Sequence, residues 1–373
     1  MNTEPGSTAI LEQVLESYDL GELASFERNE RGFCNTSYAI ETRKGGLSRK
    51  YFLREYKRGI SEQDLAFEHS LISHLVAKGV SLVARVLPTS SGRAYLKRIE
   101  DDGEPTPVFY AIFELLTGED KYTWVDPRCS NQEIVNSAAI LARFHAAVTD
   151  LVPEGQRAEP TINELLPEIT QTVAACPAMT RRTLFDDFLF EHLGLVLDNL
   201  KETIEALGSA ECHDLPHLAI HCDFHPGNLK FQDGEVVGLF DFDWSKIDVR
   251  CFDVALALFY FFVSWDGEND GHLRLGETDL FLQSYQHAMV ACPDVGPLTS
   301  AELACLPEML SASNLYVLNW TIQDYYHKQV DAQEYLIYLR HGINFIKWYH
   351  HLSVRADLEA FFSKQVLKEN DGF

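Results

Sequence analysis

Polar and apolar residues alternate through residues 33–58 with the two-residue period of strands. The runs Ser37-Tyr38-Ala39-Ile40-Glu41-Thr42 and Lys50-Tyr51-Phe52-Leu53-Arg54-Glu55-Tyr56 flank a Gly45-Gly46 turn. The period lengthens over 62–78, where Leu65, Phe67, Leu71, Ile72, Leu75 and Val76 recur at three and four and predict a helix. An opening helix is predicted over Thr8–Tyr18, and two more strands around Ala94–Arg98 and Val108–Glu114. Leu115–Asp120 reads as a connector. Beyond it the pattern is mainly helical, over Asn131–Val148, Leu184–Leu207, Asp253–Ser264, Asp279–Cys292, Ala301–Lys328 and Ala332–His351. Short strands interrupt these helices at 218–240, with Leu218–His221 followed by returning strands turned at Gln232–Glu235. The pattern predicts a small antiparallel sheet with one helix over residues 1–115, then a larger helical part over 116–373.

The interruption carries the candidate chemistry. It reads His221-Cys222-Asp223-Phe224-His225-Pro226-Gly227-Asn228, then an apolar run, then Asp241-Phe242-Asp243. Asp223 and Asp241 are expected to end neighbouring strands and face one space, with Asn228 on the loop between them. Phosphoryl transfer needs a carboxylate near the attacking hydroxyl and oxygen ligands for magnesium, and Asp223, Asn228 and Asp241 are of those types. A rival set is His221, Asp223 and His225 as metal ligands that activate water. Pro226-Gly227 breaks the strand that set requires, and it leaves Asn228 and Asp241 without a role.

No Walker A or GxGxxG pattern occurs, which argues against P-loop and Rossmann sites. The candidate phosphate loop is Arg31-Gly32-Phe33-Cys34-Asn35-Thr36-Ser37, with Gly32, Asn35, Thr36 and Ser37 as its contacts. Along one predicted helix, Trp320 and Asp324 share a face, and Trp265-Asp266 is a similar pair of aromatic and acid that suits an ammonium group. Tyr335 and Tyr338 read as packing.

The run H-x-D-x-H-P-G-N followed by D-F-x resembles the aminoglycoside phosphotransferase / choline kinase superfamily, and in style its type II homoserine-kinase-like members. The resemblance spans roughly residues 25–350, with its specific motifs confined to about 221–256. It implies an α+β, bilobed, protein-kinase-like fold with ligand between the lobes. It implies ATP and Mg2+ as cofactors, and a small, amine-bearing alcohol (homoserine-like, aminoglycoside or amino alcohol) as acceptor. Carried over, Asp223 is the base or orienter of the acceptor hydroxyl, Asn228 and Asp241 hold the metal, and Asp253 braces the catalytic loop. The resemblance also implies that Arg54, paired with Glu68, steadies the phosphates, with Lys50 and Lys57 as competitors. Glu114-Leu115-Leu116 forms the adenine-binding connector, through its backbone. Asp243 departs from the protein-kinase glycine and either assists a second metal or caps the next turn. The alternative within the same fold is a nucleotide-binding pseudokinase.

Charge sharpens the picture of the acceptor. Residues 1–100 hold 14 Lys/Arg and 13 Asp/Glu, whereas 101–373 hold 17 and 43. Such a field disfavours nucleic acid and anionic membrane as partners and draws cationic solutes to the second part. The longest apolar stretch, Val254–Trp265, is too short to span a bilayer, and the N-terminus lacks a secretory pattern. The eight cysteines form no CxxC pair, so reduced thiols and a cytoplasmic protein are expected. A homodimer is left open.

Overall fold

The computed structural model describes residues 5–29, 35–101, 105–209, 212 and 214–366. Contacts divide the chain into two units, one of Met1–Gly118, Val152–Gln156 and Val237–Phe240, the other of Glu119–Leu151, Arg157–Val236 and Asp241–Phe373.

The first unit opens with helix α1 (Pro5–Leu15), then strands β1 (Glu22–Asn29), β2 (Thr36–Lys44) and β3 (Leu47–Glu55), helix α2 (Glu62–Ala77), and strands β4 (Val86–Leu87), β5 (Leu96–Asp101) and β6 (Pro105–Glu114). Gly45 and Gly46 turn the β2–β3 hairpin with φ of 58° and 82°, the left-handed pair that a two-residue turn between twisted strands demands. The sheet order is β1-β2-β3-β6-β4, with β5 on β6, and every pairing is antiparallel. Tyr38, Ile40, Leu53, Tyr110 and Ile112 fill one face against Leu11, Val14 and Leu15 of α1. Helix α2 starts at a capping box: Ser61 Oγ accepts the Asp64 amide at 3.1 Å and Asp64 Oδ2 accepts the Ser61 amide at 3.3 Å.

The second unit contains helices α3 (Asn131–Ala147), α4 (Ile162–Ala175) and α5 (Leu184–Leu207), strands β7 (His217–Ile220), β8 (Leu229–Gln232), β9 (Glu235–Leu239, whose end belongs to the first unit) and β10 (Lys246–Val249), then α6 (Arg250–Phe262), α7 (Leu275–Met289), α8 (Ser300–His327), α9 (Ala332–Tyr349) and α10 (Leu352–Ser363). Helix α6 is apolar nearly all round and buried on every side, which is why its sequence reads as one long hydrophobic run. It lies against α8, while α3 lies on α7 and α5 on α9. Among the described residues no helix is long and apolar enough to cross a membrane.

Several elements differ from the sequence reading. Strand β1 is an edge strand with a largely exposed face, so little alternation marks it. Helix α4 contains Pro167, and α10 buries only Leu358 and Phe362 along its length. Asp223 and Asp241 do not follow paired strands: β7 pairs with β10, whereas β9, which leads to Asp241, pairs with β8. Cys212 and Cys305 form a disulfide, correcting the expectation of reduced thiols. The two residues are 93 apart in sequence, and folding brings their Cα atoms to 6.1 Å.

Candidate active site

The loop that leaves β7 is hung from the start of α6. Asp253 Oδ2 accepts the His221 amide at 2.9 Å, and its Oδ1 accepts the Cys222 amide at 2.8 Å. Cys222 has φ 61°, a left-handed conformation that a non-glycine residue adopts only when its surroundings enforce it. Behind Asp253, His145 of α3 meets Oδ2 at 3.0 Å through Nε2, and its Nδ1 lies 2.7 Å from the Tyr285 hydroxyl. Burial lowers the His145 pKa, so the ring is neutral, donates from Nε2 to the carboxylate and accepts from Tyr285 at Nδ1. Burial alone would raise the Asp253 carboxyl, but His145 and the His221 amide hold it below the usual carboxylate range. The His221 ring is fully buried against Phe144, Phe224 and Phe242.

Asp223 follows on this loop with 19% of its side chain exposed. Asn228 Nδ2 donates to Asp223 Oδ2 at 2.8 Å and to its carbonyl oxygen at 2.9 Å. Both amide hydrogens are thus committed, which fixes the orientation of the side chain and leaves Oδ1 as its acceptor atom. His225 Nδ1 accepts the Gly227 amide at 3.0 Å, so the ring hydrogen sits on Nε2, 3.5 Å from Asp223 Oδ2. Burial pushes the Asp223 carboxyl upward, yet His225, His221 and Asn228 outweigh it, and the group lies below its ordinary value. The Tyr260 hydroxyl, beside Asp223, is driven well above its ordinary range by burial and by that carboxylate. A side chain at Gly227 would meet the His225 ring at 2.8 Å and the Thr123 backbone at 3.2 Å, so the loop is glycine there by close approach.

Asp241 is half-buried and also left-handed, with φ 68°. Its loop is laced to that of Asp223: the Phe242 ring lies 4.9 Å from the His221 ring, and Ser245 Oγ donates to the His221 carbonyl at 3.2 Å. Arg157 holds the same loop by donating to the Ser245 and Phe242 carbonyls at 2.9 and 3.0 Å. Asp243 is half-buried two residues on. The rival metal set is not assembled, because the His221 ring is enclosed by phenylalanines, whereas His225 Nε2 lies 3.5 Å from Asp223. Among the described residues no three His, Cys, Asp or Glu side chains cluster to hold a metal.

In the first unit, Arg54 Nη1 meets Glu68 Oε1 at 3.1 Å, with 9% and 1% of the two side chains exposed. The guanidinium also lies over the Tyr56 and Phe113 rings, at 5.7 and 5.5 Å. Lys50 and Lys57 are exposed, so Arg54 is the buried cation of the three. Next to it, burial and the Arg54 charge push the His69 pKa down to about 3. Asn35 Oδ1 accepts the Lys57 amide at 2.9 Å, and Thr36 and Ser37 open β2 opposite Glu55 and Arg54. Gly32 lies outside the described residues. Glu114 ends β6, exposed, with Leu116 half-buried after it.

The acceptor candidates are only partly brought together. Trp320 joins Tyr335 and Tyr338 at ring distances of 6.0 and 6.5 Å, while Trp265 stacks flat on His341 at 3.6 Å. The two groups are joined by Trp124, which the sequence reading passed over as part of the stretch after the connector. Its ring lies 5.6 Å from Trp265, 6.0 Å from Trp320, 4.8 Å from Tyr338 and 6.3 Å from Tyr260. Tyr260 in turn lies 5.2 Å from His225 of the Asp223 loop. Asp324 is committed to Lys328 at 2.7 Å and to the Tyr335 hydroxyl at 3.2 Å, and Asp266 pairs with Arg128. A tryptophan in an otherwise polar stretch was the available signal for Trp124.

The sequence profile of the phosphotransferase enzyme family (APH) matches residues 25–287. The chain belongs to that family. This phosphotransferase is 28% identical over 340 residues to a homoserine kinase of Bradyrhizobium sp. (strain ORS 278), covering 88% of this chain and 91% of that one. Among solved structures, a microcompartment-associated aminopropanol kinase superposes with TM-score 0.65 at 18% identity, over 96% of this chain and 99% of that one. An amicoumacin kinase in complex with AMP-PNP, Ca2+ and Ami gives the same score and identity over 93% and 96%. The phosphotransferase is an ATP-dependent small-molecule kinase with a protein-kinase-like fold.

Proposed function

We propose that this kinase transfers the terminal phosphoryl group of MgATP to the hydroxyl of a small, amine-bearing metabolite, with Asp223 meeting that hydroxyl. The observation that carries the reading is the Asp223 carboxylate, held ionised on a braced loop with its orientation set by Asn228. A carboxylate depressed in this way is a weak base, so its main work is to accept the acceptor's hydrogen bond and aim its oxygen, taking the proton as the bond to phosphorus forms.

The donor set suits magnesium: Asn228 offers Oδ1 and Asp241 a carboxylate, both hard oxygens on restrained loops. The metal, when bound, would offset the charge of the bridging phosphate oxygens. Arg54, kept in place by Glu68, is suited to donate to phosphate oxygens with its planar fork. The residues 35–37 and 114–116 fit the nucleotide's phosphates and adenine through backbone groups. Support for an amine comes from the acidic balance of residues 101–373 and from the half-exposed rings of Trp265, Trp320 and Tyr338 in the same unit as Asp223. Among acceptors of this kind, homoserine and short amino alcohols lead, because two of the proteins named above are a homoserine kinase and an aminopropanol kinase.

The experiment is a screen of homoserine, amino alcohols and aminoglycosides for stimulated ADP production, repeated with Asp223→Asn. The expected result is stimulation by one class and loss of at least a thousandfold in kcat in the variant, with nucleotide affinity kept. Unchanged turnover in the variant removes Asp223 from the chemistry.

A further inference from the structure

The indole of Trp124 occupies the middle of an aromatic group that is contributed by separate elements: Tyr260 by α6, Trp265 by the turn after it, Trp320 by α8 and Tyr338 by α9. Three of these rings lie within 6.0 Å of its centroid, and the fourth at 6.3 Å. A cation in place of the indole would thus lie within about 6 Å of three ring centroids, the range over which an aromatic ring attracts a cation. The carboxylates nearby are already bonded within the protein, Asp266 to Arg128, Asp324 to Lys328, and Asp270 to His341 and Asn344. Attraction for a cation at this point therefore comes from rings rather than from acids.

Trp124 differs from the residues around it in how it is held. The other rings stand on helices or, for Trp265, are clamped flat against His341. Trp124 lies on a segment without helix or strand, whose polar ties to the rest of the fold are at its ends. At one end Lys121 and Tyr122 donate to Glu133 at 2.6 and 2.8 Å, and at the other Arg128 binds Asp126 and Asp266. Between the tethers Thr123 bonds only Val125, and the indole N–H makes no hydrogen bond among the described residues.

We propose that Trp124 is an internal occupant of the acceptor's ammonium site, displaced when the acceptor binds, and so sets which amines can enter. The proposal rests on the amino-alcohol kinase reading above and deepens it. An acceptor whose cationic group attracts the four rings more strongly than the indole does gains entry. A neutral alcohol leaves Trp124 in place.

The test uses the full chain, wild type and Trp124→Ala, titrated with tetramethylammonium chloride at constant ionic strength while tryptophan emission is followed. The variant is expected to bind the probe at least tenfold more tightly, because nothing has to leave. Equal or weaker binding, or no binding to either protein, overturns the proposal. Hydrogen exchange on the wild type serves should the variant not fold: amides 121–128 are expected to exchange faster with the probe bound, and unchanged or slower exchange overturns it. An active kinase with unaltered probe affinity in the variant removes the occupant and leaves the functional reading standing. Tight probe binding in a chain that phosphorylates no alcohol does the reverse.

Discussion

Asp253 serves three donors with two oxygens, and the three belong to different parts of the fold: two loop amides and the ring of His145. Asn at this position keeps the shape but turns one oxygen into a donor, so either the Cys222 amide, or both the His221 amide and the imidazole, face another N–H. Each charge-assisted bond lost in a buried site costs on the order of 1.5–3 kcal/mol. Asp253→Asn is expected to lower stability by about that amount. Because a misplacement near 1 Å costs roughly a hundredfold, kcat is expected to fall by that factor while KM for ATP holds. Unchanged kcat in steady-state assays would show that the loop does not depend on this brace. Such short-range relations were readable beforehand: Asp223 and Asn228 are five residues apart, and Asp253 stands at a recognisable helix start. Trp124 was not readable, since its neighbours Tyr260, Trp265, Trp320 and Tyr338 come from four later segments that only folding gathers.

Between elements, one tie is an ion pair with no exposure at either end. Arg250, at the first position of α6, donates through Nε to Glu302 Oε1 at 2.8 Å and through Nη2 to Oε2 at 2.5 Å, and through Nη1 to the Gly296 carbonyl at 2.8 Å. Glu302 meanwhile caps α8 by accepting the Thr299 amide at 2.9 Å. Arg250→Met leaves a buried, unpaired carboxylate and is expected to destabilise the chain by about 3–5 kcal/mol. Adding Glu302→Gln, which keeps the cap but removes the charge, should restore part of this. Urea unfolding of both variants decides it, and a double variant no more stable than the single one refutes the charge argument. The helices α2, α3, α5, α8 and α9 were legible in the sequence. Of the elements missed, β1 lacks a one-sided pattern, whereas α4 has one, burying Ile162, Leu165, Leu166, Ile169 and Val173 at helical spacing. Strand β1 is exposed along an edge, and α4 hides behind Pro167, although Thr161 and Glu164 already spelled a capping box in which Glu164 accepts the Thr161 amide at 3.1 Å.

At the scale of the molecule, charge is the quantity that one sequence reports best. The net −25 resides almost wholly in residues 101–373, which hold 17 basic and 43 acidic residues. The Debye length falls from about 30 Å at 0.01 M salt to about 8 Å at 0.15 M. KM for a cationic acceptor is therefore expected to rise severalfold across that range, and KM for a neutral alcohol to stay level. Steady-state assays at the two salt concentrations check this, and equal salt responses would remove the field from substrate capture. The sequence shows a change of period near residue 115, but the assignment of 152–156 and 237–240 to the first unit was not readable in it, since it depends on contacts distant in sequence.

The bare backbone at Gly227 has a consequence for how the enzyme's preferences change over generations. With the His225 ring on one side and Thr123 on the other, the loop that carries Asp223 and the strap that carries Trp124 share one contact surface. On the proposed function, a lineage that reshapes the strap disturbs the loop of Asp223 at the same time. New acceptor preferences would then be reached more freely through the helix-borne rings at 320 and 338, and comparison of enzymes with differing acceptors should find the variation concentrated there.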